Sequence, residues 1–168
     1  MQTTKGKLYP VVEQINNTTT SWIGRYPGED NDIKSGQTFL SPSGGELDSI
    51  EIFSSLVVRS GEVLITFHEF DAVNKEWGIK IASASVMFNK SDSNKWISFP
   101  LQGIQLQQGK WYGFMLQSPS SLIGVGEAAG THREPPNGEG QEWKFISGDN
   151  KGKAFTYFSL AFKVELRA

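Results

Sequence analysis

Hydrophobic and polar residues alternate along much of this chain, with a period of two residues rather than the helical 3.6. In "GEVLITFHEF", Val63, Ile65 and Phe67 share one parity. The final segment, "KAFTYFSLAFKVELRA", keeps the same pattern, and its apolar parity consists of Phe158, Leu160, Phe162, Val164 and Leu166. Because every second side chain of a strand faces the same side, each stretch predicts a strand with one face on a core.

Further strands follow from the same pattern. "EWGIKIASASVMF" places Trp77, Ile79 and Ile81 on one parity, and "DAVNKE" before it predicts a hairpin connection to the preceding strand. "NKWISFPLQGIQL" and "GKWYGFMLQS" form the next predicted pair, joined across "QLQQGK". No window of a dozen residues keeps a helical period. Short strands between turns predict an all-β fold, an antiparallel β-sandwich of the jelly-roll type.

Two stretches depart from this pattern. Residues 1–34 are polar and rich in turn residues, and they predict an N-terminal arm or an edge strand with a long loop. Residues 124–142 hold five glycines and two adjacent prolines, which predicts an exposed long loop of the kind that often carries function. Residues 35–168 are then a single β-sandwich domain.

Composition excludes several classes of partner. The net charge is −2 without a basic stripe, so nucleic acid is not expected to bind. There is no apolar run of the ~20 residues that a membrane-spanning helix needs. The absence of cysteine excludes disulfides and cysteine nucleophiles in this chain. "MQTTKGKLYPVVEQ" lacks the apolar centre of a signal peptide, so the chain is either made without secretion or numbered after removal of a leader.

The sequence holds no catalytic motif, and we expect no enzymatic activity. His68, in a predicted strand, and His132, in the predicted loop, are not at a metal-ligand spacing from each other. A glycosidase needs two carboxylates about 5 to 10 Å apart. Glu62, Glu69 and Glu76 lie around one hairpin, but the sequence does not show them converging on a cleft. An unrecognised hydrolase or lyase is therefore the last of the alternatives.

Aromatic residues are the better candidates for a binding site. Trp96 and Trp111 have the parity opposite to the core-facing residues of their strands, so strict alternation points them outward. An outward tryptophan can stack on a sugar ring or a partner surface, whereas a loop folded over the outer face would bury it. The candidates in predicted loops, with polar groups for a hydroxyl or carboxylate, are Trp22, Arg25, Tyr26, His132, Arg133 and Trp143.

The stretch "PGEDNDIKSGQTF" is a candidate cation-binding loop, with Glu29, Asp30 and Asp32 as the acidic residues. It fails the EF-hand pattern, because counting from Asp30 places Lys34 at the fifth ligand position and Ser41 at the twelfth. Calcium also accepts irregular sets of carboxylates and carbonyls. An ordinary turn is the favoured interpretation, and an irregular calcium site is the alternative.

The order of features resembles the galactose-binding-like jelly-roll modules of bacterial surface proteins and glycosidases. The similarity covers residues 36–166 and rests on "GQTFLSPSGGELDSIEIF", on a W-x-x-F-x-L strand followed by L-x-x-G-K-x-Y, and on "SLAFKVEL". The resemblance implies carbohydrate binding and a first sandwich strand at Gln37 and Phe39, with the last strand pairing near it. It also implies a structural calcium near the first strands, with Asp30 and Asp32 as ligands.

These observations predict a non-catalytic recognition module. Its expected ligand is carbohydrate or another cell-surface ligand, held between residues 20–35 and 124–143, with no required cofactor beyond the calcium alternative. The second hypothesis is a structural protein of a phage or virus-like particle, such as a capsid decoration, fibre or tail component, which pairs with other chains in assembly or attaches to a host. The compartment is left open.

Overall fold

A computed structural model of the chain describes residues 8–29, 31–131, 133–137, 140–149 and 151–167. These residues form thirteen strands and one 3-10 turn at Lys90–Asp92. The strands are β1 Leu8–Gln14, β2 Thr19–Arg25, β3 Asp32–Leu40, β4 Gly45–Arg59, β5 Gly61–Asp71, β6 Glu76–Phe88, β7 Lys95–Leu106, β8 Trp111–Gln117, β9 Leu122–Ala129, β10 Glu142–Ile146, β11 Lys153–Phe155, β12 Phe158–Leu160 and β13 Phe162–Arg167. No helix in these ranges is long and apolar enough to cross a bilayer.

The strands make one antiparallel sheet that curls into two packed layers. Its order is β1-β13-β4-β9-β2-β3-β8-β5-β6, with β7 on the other side of β4 and β10 beside β3. The two layers meet where the ring of Phe162 lies 6.2 Å from that of Phe39 and 5.6 Å from that of Phe114. The fully buried side chains of both layers form one core, which confirms the predicted all-β sandwich of the jelly-roll type.

β4 connects the two layers. Its first part, up to Ser54, lies between β13 and β7, whereas its last residues pair with β9. The register with β9 shifts between Ser54 and Leu56, and again between Val57 and Arg59. Such bulges bend a strand and increase its twist. One long strand can therefore contribute to both layers.

The N-terminal residues contribute two different strands. Among the described residues, β1 pairs with β13 and lies at one end of the sheet order. The assignment of residues 19–25 to an arm or loop is wrong, because β2 is an inner strand between β9 and β3. Ile23 is buried on its inner side, while the exposed Thr19 and Thr20 make the segment look polar in sequence.

The predicted long loop begins later than expected. β9 covers residues 122–129 as an almost fully buried strand, so the described part of the loop lies between residues 130 and 141. The glycines of β9 leave room for side chains of neighbouring strands. A Cβ at Gly124 would stand 2.6 Å from the Thr20 side chain, and one at Gly126 would stand 3.0 Å from Phe53. Close packing rather than turn formation therefore accounts for these two glycines.

Two further pairings differ from prediction. β7 and β8 do not pair: β7 lies beside β4, and β8 lies between β3 and β5, so the "QLQQGK" turn joins the two layers. The β5–β6 hairpin is confirmed, but Ile79 and Ile81 are 75% and 38% exposed rather than in the core. The core-facing side chains of β6 are Ala82, Ala84, Val86 and Phe88, so Ile79 and Ile81 have the opposite parity and lie on the outer face with Trp77.

The last segment is divided. It contains β11, β12 and β13 rather than one long strand, with a turn at residues 156–157 between the first two. The predicted inward face is nevertheless confirmed from Leu160 onward, since Leu160, Phe162, Val164 and Leu166 are all fully buried. β12 pairs with β9, and β13 pairs with β1 and β4.

Candidate functional site

A second apolar cluster lies on the outer face of the layer formed by β3, β8 and β5. Phe70, Trp143 and Phe145 are its buried members, and Trp77 and Trp111 are among the partly buried side chains packed against them. β10 reaches this position by pairing with β3. The floor of the cluster is made by glycines: a Cβ at Gly36 would stand 3.2 Å from the Trp77 ring, and one at Gly113 would overlap it.

Beside this cluster is a cleft of about 250 Å³, which we call the Trp111 cleft. Phe70, Trp111 and Pro135 provide apolar surface, and Thr38, Lys75 and Gln141 provide polar groups. These residues come from β3, β5, the β5–β6 turn, β8 and the loop before β10. The cleft therefore combines aromatic faces with hydrogen-bonding groups on its rim, which is the usual composition of a small-molecule site.

Gln141 is held in place by its backbone. Its carbonyl oxygen accepts hydrogen bonds from the Thr38 amide (3.0 Å) and hydroxyl (3.3 Å), and its own amide donates to the Thr38 hydroxyl (3.1 Å). Its side-chain oxygen accepts a hydrogen bond from Lys75 Nζ at 3.3 Å. The rim of the cleft is thus closed by a contact between a hairpin turn and a loop.

The turn that carries Lys75 is fixed by Asp71. The carboxylate of Asp71 accepts hydrogen bonds from the amides of Val73 (3.0 Å) and Asn74 (3.1 Å) and from the Asn74 side chain (2.8 Å). These bonds, those of Asn74 first, hold the pKa of Asp71 below its usual value. Lys75 itself has φ 56°, a conformation that non-glycine residues seldom adopt. The lysine is therefore presented by a well-defined turn.

A buried polar cluster on β9 and β10 was not expected from the sequence. Lys144 Nζ lies 3.7 Å from Glu127 Oε2 and 3.8 Å from Glu142 Oε2, and it donates to Ser21 Oγ. Thr19 Oγ1 donates to Glu127 Oε1 at 2.9 Å. Burial first, and then the neighbouring Glu127, raise the pKa of Glu142 to about 10. Glu142 is therefore neutral at pH 7, which leaves one lysine facing one carboxylate.

The structure separates the tryptophans that the sequence singled out. Trp111 lines the cleft, whereas Trp96 lies on the outer face of the other layer, where its ring is 5.4 Å from that of Phe53. Both are partly buried rather than fully outward. Trp22 belongs to β2 and not to a loop, and its ring lies over Gly124.

Trp143 does not lie in a loop, as the sequence had predicted. It was expected beside an exposed loop, but it lies in β10 with 4% of its surface exposed, against Trp77 (5.8 Å) and Phe70 (5.7 Å). The glycine-rich residues before it favoured a loop in the sequence, while pairing of β10 with β3 and β11 makes it a strand. Its ring is a wall of the second apolar cluster and is not available for stacking on a ligand.

The polar candidates are scattered. Arg25 ends β2, and its Nε donates to Asp32 Oδ1 at 2.8 Å, with Tyr26 following in the chain. Arg133 is exposed in the loop before β10. His132 lies outside the described residues. None of Arg25, Tyr26 and Arg133 is among the residues that line the Trp111 cleft.

The described residues do not form a set of ligands for the alternative calcium site. Glu29 is exposed, Asp30 lies outside the described residues, and Asp32 already pairs with Arg25. Within the described ranges no three acidic, histidine or cysteine side chains are grouped to hold a metal ion. The calcium site therefore stays a prediction.

No protein-family model matches the chain, and no curated protein sequence matches it. Among solved structures it is similar to the clostridial cysteine protease Cwp84 after propeptide cleavage, with a TM-score of 0.56 and 11% identity over 99% of this chain and 41% of that one. A structure of the cysteine protease and lectin-like domains of Cwp84, a surface layer associated protein of Clostridium difficile, gives a TM-score of 0.51 and 13% identity, over 83% of this chain and 33% of that one.

A family 35 carbohydrate-binding module from an environmental isolate is also found, with a TM-score of 0.33 and 8% identity, over 92% of this chain and 97% of that one. This chain spans less than half of either Cwp84 chain, so the fold that it shares with them is only part of each Cwp84 structure. The chain is thus an all-β jelly-roll domain, which is the fold that the sequence resemblance implied.

Proposed function

We propose that this chain is a non-catalytic recognition module that binds carbohydrate in the Trp111 cleft. The observation that carries the proposal is the joining of an aromatic wall, Trp111 and Phe70, to a polar rim of Lys75 and Gln141, which the buried Thr38 holds in place. A sugar ring has an apolar face that packs on an aromatic side chain, and its hydroxyl groups need hydrogen-bond partners at the edge.

The size of the cleft suits one sugar residue. Its volume of about 250 Å³ is below the roughly 300 to 1,000 Å³ that pockets for drug-sized ligands enclose. We therefore expect recognition of a single ring, such as the terminal residue of a glycan chain.

A binding role also agrees with the chemistry of the lining. Lys75 is the single ionisable side chain among the described residues that line the cleft, whereas glycoside hydrolysis needs two opposed carboxylates. Glu69, one of the acids considered for hydrolysis, is 2.5 Å from Lys110 Nζ in an ion pair. Glu127 and Glu142 do not line the cleft either. The fold agrees too, because Cwp84, whose structure shares it, is described as having a lectin-like domain.

The test is a glycan array followed by calorimetric titration of the sugar that is retained. Trp111→Ala should weaken binding at least about tenfold, which corresponds to about 1.4 kcal/mol. Gln141→Ala should weaken it less, since its backbone contacts to Thr38 remain. Trp96→Ala, a tryptophan on the other layer, is the matched control and should bind like the unaltered chain.

Equal losses in the two tryptophan variants, with both folded by circular dichroism, would contradict the cleft as the site. Silence on every glycan would contradict carbohydrate binding and favour the assembly hypothesis. A stable trimer or larger ring in size-exclusion chromatography would then support the role in a phage or virus-like particle.

A further inference from the structure

The buried polar cluster brings together side chains of two strands that do not pair with each other. β9 pairs with β2, β4 and β12, whereas β10 pairs with β3 and β11. Lys144 Nζ, on β10, lies 3.7 Å from Oε2 of Glu127 on β9 and 3.8 Å from Oε2 of Glu142, two residues away on β10. Glu127 is 4% exposed and Glu142 is 0% exposed. An amine and two carboxyl groups therefore meet at a place where both acids are withdrawn from solvent.

An ion pair alone does not account for Glu142. Both of its carboxyl oxygens are buried, and neither has a hydrogen-bond partner among the described residues. Such unpaired groups are costly and rare in folded proteins. Burial first, and then the neighbouring Glu127, raise the pKa of this carboxyl, so that it holds a proton at neutral pH. A protonated carboxyl beside a second carboxyl and an amine has the position of a general acid.

Glu127 is held in the position of the group that such an acid would serve. Its Oε1 accepts a hydrogen bond from Thr19 Oγ1 at 2.9 Å, while its Oε2 faces Lys144. Lys144 also donates to Ser21 Oγ, which keeps its amine beside the acids. Since Cδ of Glu127 is bonded to Oε2, Nζ is close to the roughly 3 to 3.5 Å from which two atoms react.

We infer that Lys144 Nζ and Glu127 Cδ join in an intramolecular amide bond, with Glu142 as the acid that assists the loss of water. The bond would replace a buried carboxylate and a partly buried ammonium group with one neutral group. It would therefore remove the cost of withdrawing both charges from water. This inference does not depend on what the Trp111 cleft binds.

The atoms balance without an oxidant or another reactant. The ammonium group of Lys144 first gives a proton to Oε2 of Glu127, which leaves an amine and a carboxylic acid. The lone pair of Nζ then attacks Cδ, and the carbonyl electron pair moves to Oε1, where the Thr19 hydroxyl stabilises it. When the carbonyl forms again, Oε2 leaves as water with the proton of Glu142. Glu142 takes a proton back from Nζ, so the net products are one amide and one water.

The test is intact mass spectrometry of the whole chain, incubated folded at neutral pH and then unfolded for measurement. We expect a mass lower by one water than the mass calculated from the sequence. Tandem spectra of a protease digest should show the peptide that contains Lys144 joined to the one that contains Glu127. The calculated mass after incubation to a constant spectrum would overturn the inference, and so would a link from Lys144 to Glu142.

Variants identify the reacting groups. Lys144→Arg keeps the charge but has no amine, and it should retain its calculated mass. Glu127→Gln should lose ammonia instead of water and reach the same final mass as the unaltered chain. Glu142→Gln keeps the shape of the side chain but not the acid, and it should reach the amide product at least about tenfold more slowly. An unchanged rate in Glu142→Gln would overturn the role given to Glu142.

A second lysine and glutamate provide the matched control. Lys163 Nζ lies 3.9 Å from Glu51 Oε2, nearly the same separation, but both side chains are about one-quarter exposed and no third carboxyl lies within 4 Å of this amine. Lys163→Arg should therefore lose water as the unaltered chain does. A loss of water that persisted in Lys144→Arg would come from elsewhere in the chain and would overturn the inference. The tandem spectra of the unaltered chain decide the question even if a variant does not fold.

Discussion

Replacing Glu142 with glutamine should make the protein more stable at neutral and alkaline pH, and should remove part of its dependence on pH. Glu142, in β10, is fully buried beside Glu127 of β9, and burial raises its pKa from 4.5 to about 10. In the unfolded chain the same carboxyl releases its proton above its ordinary value. Between these two pH values the folded state therefore binds one more proton than the unfolded state.

The sign and size follow from that proton difference. A folded pKa above the unfolded one means that this group's contribution to stability is greatest at low pH and is lost as pH rises. One full proton changes the free energy of unfolding by about 1.4 kcal/mol per pH unit, so about 4 kcal/mol is lost between about pH 5 and about pH 8. That is a large part of the roughly 5 to 15 kcal/mol by which domains are stable. Lys144, which can approach the ionised carboxylate, makes this an upper limit.

The assay is urea unfolding of the unaltered chain and of Glu142→Gln at four pH values across this range. Glutamine keeps the shape of the protonated side chain, so the two proteins should be equally stable near about pH 5. The stability difference should then grow with pH in favour of the variant. Glu62→Gln, at an exposed position of β5, should show no such growth. A difference between the chain and Glu142→Gln that is constant with pH would refute the reasoning.

Three further outcomes follow from the packing and the turns. Trp143→Ala should lower the free energy of unfolding by about 3 to 5 kcal/mol in urea titration. Trp22→Ala removes a partly exposed ring and should lower it by less than half as much. Similar losses in the two variants would contradict the burial described for Trp143. Gly24→Ala should lower the free energy of unfolding by more than about 2 kcal/mol, because Gly24 has φ 111° and a Cβ would overlap the Ser121 carbonyl. An unchanged thermal midpoint would refute this prediction. For the calcium site, added calcium should raise the melting temperature of the chelator-treated protein and Asp32→Asn should abolish the increase; identical melting with calcium and with chelator would argue against the site.

The sequence predicted strands best where one face is apolar and the other polar. The apolar residues Val63, Ile65 and Phe67 of β5 lie on the core as their alternation indicated, and so do Phe162, Val164 and Leu166 of β13. β9 was not predicted because both of its faces are buried, and two positions of its outer face are Gly124 and Gly126, which carry no hydrophobic signal. Which strands pair with each other was harder to predict than where the strands lie. The "QLQQGK" turn has the length of a hairpin loop, and only the packing of the layers decides that it crosses between them.

The candidate site shows the same limit. Parity alone selected Trp111, because an outward tryptophan on a half-buried strand stands out in a sequence. Phe70, Lys75 and Gln141 come from three separate segments, and nothing local indicates that the topology brings them to Trp111. The polar cluster of Glu127, Glu142 and Lys144 was missed for the same reason, since its two acids belong to different strands.

The edge pairing of β1 with β13 has a consequence for how this fold can be joined to other polypeptides. Leu8 and Arg167, the outermost described positions of the two strands, are cross-strand partners. A unit whose two ends lie side by side can be placed within a surface loop of a host protein, or closed with a short linker and reopened elsewhere, because neither operation stretches its strands. The turn at residues 89–94 between β6 and β7 is an exposed place for such new ends.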